Sequence, residues 1–160
     1  MAKRVYYPIG SISSGTLRDE DLLSAFAGEL DSLASRKDTA VSAKIRRAHR
    51  ALAAEAESFD PETADFDAGE LIADLMAALQ EYAAPYFYFG TLEGDGAEFG
   101  FYVSPDIFEQ HGCFDGLRVA DTAEVPRNYR GEVLHVTDHG NATLYVANGR
   151  GHLREVWAIV

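Results

Sequence analysis

Cysteine occurs once in the 160 residues, at Cys113. No internal disulfide can form, which excludes a disulfide scaffold and makes a reducing, cytoplasmic setting the expectation. No apolar run reaches the roughly 18 residues of a membrane-spanning helix. The opening Met1-Ala2-Lys3-Arg4-Val5-Tyr6-Tyr7-Pro8 does not lead into the apolar stretch and cleavage site of a secretory leader. Neither a membrane span nor a leader is therefore expected. Bases are the scarcest class across the middle of the chain: residues 59–124 carry 15 Asp and Glu against a single base, Arg118. That field repels phosphate backbones and anionic head groups, so direct nucleic-acid binding and membrane-surface binding are excluded as expectations. Internal repeats and low-complexity linkers are lacking too, and the expectation is a single domain over 1–160.

What is present balances a globular protein: 47% apolar and 25% charged residues, too apolar for a disordered acidic tail. The net charge of -12 is unevenly placed. Residues 1–58 hold 9 bases and 8 acids, whereas residues 59–160 hold 5 bases and 18 acids. An acidic surface of this kind attracts a basic surface or groove on another protein, including a groove built to hold nucleic acid. Acidity serving solubility alone is the competing explanation.

Three amphipathic helices are expected first. Thr16 stands as the N-cap of a helix whose first turn holds Asp19, Glu20 and Asp21, acids that complement the positive end of the helix dipole. Leu22, Phe26, Leu30 and Leu33 follow at helical spacing to about Ser35. Val41, Ile45, Ala48 and Leu52 predict a second buried stripe, with Lys44, Arg46, Arg47 and Arg50 on its outer face. Leu71, Ile72, Leu75, Met76, Leu79 and Tyr82 predict a third helix, ended by Pro85.

From Tyr86 the period changes to two. The aromatic runs Tyr86–Phe89 and Phe99–Val103 around Gly94-Asp95-Gly96 read as a hairpin. Val133–Thr137, Ala142–Ala147 and Leu153–Val160 read as three more strands. Pro105–Glu109 predicts a short helix, and Leu117–Ala120 an edge strand. The expected fold class is α+β, with three N-terminal helices packed on a C-terminal antiparallel meander of about five strands.

Phe87, Phe89, Phe99, Phe101 and Val103 share one parity, matched by Leu134, Val136, Leu144, Val146, Leu153 and Trp157 if these strands face the helices. Tyr86, Tyr88, Tyr102, His135 and Tyr145 take the other. Tyrosine suits a half-wet contact surface, because its ring can be covered while its hydroxyl stays hydrogen-bonded. The candidate binding residues are Tyr86, Tyr88, Tyr102 and Tyr145 with the acids Glu93, Asp95 and Glu98; tyrosines at the wet edge of an ordinary sheet are the alternative.

Other constellations carry less chemistry. Gly10-Ser11-Ile12-Ser13-Ser14-Gly15-Thr16 has the glycine spacing of a phosphate-binding loop, but Thr16 stands where that loop has lysine, and the acids after it repel an anion. His111, Cys113, His135 and His139 are of metal-ligating type without the spacing of a zinc site. Cys113 with His139 and Asp138 lacks a base and an orienter that can point at one another. Glu93, Asp95 and Glu98 surround a glycine turn without the ordered ligand spacing of a calcium loop. No catalytic residue, metal or cofactor is assigned.

Two stretches, Ser13-Ser14-Gly15-Thr16-Leu17-Arg18-Asp19-Glu20-Asp21-Leu22 and Tyr88-Phe89-Gly90-Thr91-Leu92-Glu93-Gly94-Asp95-Gly96-Ala97-Glu98-Phe99-Gly100-Phe101, resemble segments of small acidic uncharacterised proteins of bacteriophages and mobile elements. The resemblance covers about a quarter of the chain and brings no assigned catalytic residues. It implies an accessory protein that meets a host or defence component. The expected function is a non-enzymatic acidic interaction protein, an inhibitor of a host nucleic-acid-binding or defence complex with a basic surface or groove. The alternative is a small metal-dependent or nucleotide-modifying enzyme built on the C-terminal histidines. A homo-oligomer pairing through exposed meander strands stays open.

Overall fold

Helix α1, Asp19–Ser35, buries Leu22, Leu23, Phe26, Ala27, Leu30, Leu33 and Ala34 along one stripe. These are the side chains that recur at helical spacing in the sequence. A computed structural model describes residues 3–160 and divides the chain into two compact units, one ending at Ser104 and the other spanning Pro105–Val160.

The start of α1 differs from expectation. Arg18, not Thr16, occupies the cap position, and its side chain makes no capping bond. Thr16 instead donates its hydroxyl to Asp21 Oδ2 at 2.6 Å and accepts from the Arg18 amide at 3.2 Å. The hydroxyl is thus committed to a tight turn ahead of the helix. Asp19, Glu20 and Asp21 do fill the first turn, where the dipole favours them.

Helix α2, Ala43–Glu57, is capped by Ser42, whose side chain accepts from the Ile45 amide. Its buried face is His49, Ala53 and Ala56, not the expected Val41, Ile45, Ala48 and Leu52 stripe. Val41 is buried but precedes the helix, Leu52 is half-buried, and Ile45 is 41% exposed. Alanines let α2 lie close to α1, and an apolar count overlooks a face made of small residues and one histidine. Helix α3, Ala68–Gln80, begins at Asp67, which accepts from the Glu70 amide at 2.9 Å. It buries Leu71, Leu75, Ala78 and Leu79.

The three helices share a core with the first sheet, which has the order β1-β3-β2. Strand β1 is Gly10–Ser13, β2 is Phe87–Leu92 and β3 is Asp95–Val103. The hairpin β2–β3 is as expected, with Phe89 opposite Phe101 and Tyr88 opposite Tyr102. Strand β1 was hidden in the Gly/Ser-rich segment; it pairs antiparallel with β3, placing Ser11 opposite Gly100. Gly100 is required there, because a Cβ would stand 2.7 Å from the Ser11 Cα and closer still to the Gly10 backbone. Phe89, Phe99 and Phe101 enter the shared core. The Phe26 ring meets Phe89 and Phe99 edge-on at centroid distances of 5.2 and 5.3 Å, contacts worth about 0.5–1.5 kcal/mol each beyond area burial.

The second unit opens with a 3₁₀ turn at Pro105–Phe108 and carries the sheet β4-β5-β6-β7. Its strands are Leu117–Val119, Arg130–Val136, Ala142–Asn148 and Leu153–Ile159. The pairs β5–β6 and β6–β7 are antiparallel, whereas β4 runs parallel to β5. The α+β class holds, with the three helices ahead of every strand but β1, and the expected single meander is replaced by two sheets. The segment Pro105–Gly116 lies between the hairpin and the later strands in the chain, and the two strand groups belong to separate sheets. Arg118 secures that segment by donating to the Ile107 carbonyl and, at 2.8 Å, to the Glu109 carbonyl. Both Val133 and Leu134 are fully buried, so adjacent residues of β5 are covered on opposite faces and a one-parity reading fails there. Among the described residues no helix is long and apolar enough to cross a membrane.

Candidate functional site

On the first sheet, one face is given over to phenylalanine and the helices. The other carries Tyr88 and Tyr102, cross-strand partners whose ring centroids are 6.1 Å apart at 55°. Both are half-buried. Gly90 and Gly100 form the next cross-strand pair of the same parity. With no side chain at Gly90, the Tyr88 ring leans over it; an added Cβ at Gly90 would lie 3.3 Å from Tyr88 Cδ2. The Tyr88 hydroxyl donates to the Thr91 carbonyl at 2.8 Å, holding the ring in that posture.

Tyr102 is tied at its polar end. Its hydroxyl donates to Glu98 Oε1 at 3.3 Å, and Ser11 on β1 also hydrogen-bonds to it. Burial pushes the Tyr102 hydroxyl above the ordinary phenol value; the Ser11 hydrogen bond opposes that shift and the Glu98 carboxylate reinforces it. The phenol therefore stays protonated as a donor, with the Glu98 carboxylate as its acceptor. Three strands contribute: β2 supplies Tyr88, β3 supplies Tyr102 and Glu98, and β1 supplies Ser11.

Glu93 and Asp95 lie at the hairpin tip, both exposed. Gly94 between them adopts φ +87°, a conformation open to glycine at little cost. Asp95 Oδ1 accepts from the Ala97 amide at 3.0 Å, which shapes the turn and leaves the second carboxylate oxygen facing away from that bond. Tyr86 precedes β2 rather than belonging to it, with φ +66° and its carbonyl accepting from the Ser104 amide at 2.7 Å. The sequence pattern placed it on a strand; the left-handed turn after α3 breaks that alternation. Tyr145 lies on β6, in the second unit, packed against Val119, Val133 and Ala147. Tyr88, Tyr102 and Glu98 thus come together, Glu93 and Asp95 sit at the end of the same hairpin, and Tyr145 belongs to a different cluster.

The histidines considered as ligands are dispersed. His111 and Cys113 are found in the segment before β4, and His139 is exposed in the β5–β6 turn. His135 Nε2 lies 3.0 Å from the Ala120 carbonyl, to which it donates. Among the described residues no group of three or more His, Cys, Asp or Glu is arranged to hold a metal ion. The Gly10–Thr16 segment is strand and turn, not an anion cradle.

One titratable cluster escaped the sequence reading. His49, 8% exposed, links α2 to the residues that follow α3: its Nδ1 is 2.9 Å from the Tyr82 hydroxyl and its Nε2 is 2.9 Å from Glu81 Oε2. A carboxylate only accepts, so Nε2 carries the proton and Nδ1 accepts from Tyr82. Burial lowers the His49 pKa, partly offset by Glu81, and raises that of Tyr82 to about 12. The signal was legible in principle, because His49 stands four residues before Ala53 and seven before Ala56 on the small-residue face.

No protein-family model, curated protein or solved structure matches this chain.

Proposed function

We propose that this chain is a non-enzymatic interaction protein that receives a basic surface of a partner protein on the Tyr88, Tyr102 and Glu98 face. The observation that carries the reading is the Tyr88 ring laid over Gly90 beside a tyrosine whose hydroxyl is held by a carboxylate. A guanidinium or ammonium stacked on a tyrosine ring gains about 0.5–1 kcal/mol at an exposed site, and more when desolvated. Glu98 supplies the opposite charge at the same place. Tyrosine also gives up few rotamers on binding, which suits a contact residue.

Charge supports the same partner. The excess of 14 acids over bases in residues 59–124 steers basic partners and repels nucleic acid itself. The partner we favour is a host complex that handles nucleic acid through a basic groove, which the chain would occupy as a phage or mobile-element inhibitor; that part rests on the resemblance of two segments described above. The acids Glu93 and Asp95 would extend the contact along the hairpin.

The test is co-precipitation from a bacterial lysate at low and moderate salt, comparing the native chain with Tyr88→Ala, Tyr102→Ala and Glu98→Gln. Capture of one nucleic-acid-handling complex, weakened by each substitution and by salt, is expected. Capture indifferent to all three substitutions would remove this face from the function.

A further inference from the structure

The helical unit carries a cleft of about 860 Å³ that is open to solvent, within the roughly 300–1,000 Å³ typical of small-molecule sites. Its apolar lining comes from Leu23 on α1, Ala56 on α2, Phe59 on the following loop and Ala68 on α3. Leu23 and Ala56 belong to the buried core, and Phe59 and Ala68 pack against it. A tilted ring contact with Phe66 at 5.7 Å steadies Phe59. The polar lining is dominated by carboxylates, from Asp19, Glu20 and Glu57. Among the described residues the one base that lines it, Arg18, is already paired with Glu20.

The placement of these acids is informative. Asp19 and Glu20 stand in the first turn of α1, where acids stabilise a helix. Glu57 is the last residue of α2, and with Glu55 it puts two acids and no base in that helix's last turn. Carboxylates at the negative end of a helix dipole are unfavourable, by about 0.3–1 kcal/mol each. No ion pair among the described residues relieves Glu57. Local rules are broken in this manner where a site needs the offending group.

We propose that this cleft is a binding site for a small amphipathic cation, an ammonium or guanidinium on an aromatic or aliphatic body. The apolar body fills the space between Leu23, Ala56, Phe59 and Ala68. The cation meets Glu57 and Asp19 and neutralises the charge left at the end of α2. The site is separate from the tyrosine face and stands or falls independently of it.

The experiment is a titration followed by amide NMR with 2-phenylethylamine, against the isosteric 2-phenylethanol and phenylacetate. The amine should shift resonances of Leu23, Ala56, Phe59 and Ala68, the alcohol should bind more weakly, and the carboxylate should not bind. Glu57→Gln should weaken amine binding about three-fold, in the range of an exposed ion pair, while raising the melting temperature of the free protein. That opposition distinguishes a ligand-binding acid from a structural one. Equal binding of the three probes, shifts located elsewhere or absent, or unchanged amine affinity in Glu57→Gln would overturn the proposal.

Discussion

The ring of Tyr88 covers Gly90, two residues further along the same strand and on the same face, and is held there by the hydroxyl bond to the Thr91 carbonyl. An aromatic side chain that fills the space of a missing one protects the sheet and also displays a broad ring face. The same residue thus serves strand packing and the proposed contact.

This posture is observable without a partner. The Gly90 Hα protons should be displaced upfield by the Tyr88 ring current, and Tyr88→Leu should return them to ordinary values. Unshifted protons in the native chain would mean that the ring does not lie over Gly90.

Gly100 offers the corresponding stability test. A methyl group there meets the backbone of Gly10 and Ser11, which cannot rotate aside as a side chain would. Gly100→Ala should cost about 1–3 kcal/mol, the usual penalty of overpacking, read as a lower urea midpoint. Gly96 is the control, because a Cβ added there would meet nothing within 4 Å: Gly96→Ala should be close to neutral.

Phe26 is fully buried and touches two phenylalanines of the sheet. Phe26→Ala should destabilise the helical unit by about 3–5 kcal/mol. A loss below about 0.5 kcal/mol, within the range of ordinary surface substitutions, would show that the helices and the first sheet do not share this core.

The His49–Tyr82 pair predicts how stability depends on pH at both ends. Burial depresses the folded pKa of His49 below its ordinary value of 6.5, so the unfolded chain binds more protons just below that pH. The contribution is present above pH 6.5 and is lost as pH falls through the folded value. Tyr82 is raised from 10.0 to about 12, so its contribution is present below pH 10 and is lost as pH rises through about 12. Urea midpoints measured across pH should decline on both sides. His49→Gln should flatten the acid limb, and Tyr82→Phe the alkaline one.

Much of this architecture was legible from periodicity, and the failures have identifiable causes. Helix α1 and the β2–β3 hairpin announce themselves because Leu22, Phe26, Leu30 and Leu33, and the Phe89 and Phe101 parity, are large side chains at regular spacing. Helix α2 buries alanine and histidine, so its face was misread. Strand β1 is Gly-Ser-Ile-Ser, a composition of turns, and becomes a strand only because β3 presents Gly100 to it. The division into two sheets depends on long-range pairing that no local window contains. At the candidate site, Tyr88 and Tyr102 follow from strand alternation, whereas Glu98, read as part of the hairpin turn, lies within β3, Tyr86 leaves the pattern at a positive φ and Tyr145 packs into the second unit. His49, Tyr82 and Glu81 meet only through helix packing.

Titration of the labelled chain with a short arginine-rich peptide, with the perturbed resonances mapped in parallel for Tyr88→Ala and Glu98→Gln, decides whether the tyrosine face receives a basic partner. Perturbations concentrated at Tyr88, Glu98 and Tyr102 are expected, with weaker binding in both variants. Perturbations spread over all acidic segments, with affinity unchanged in both, would contradict the proposed contact.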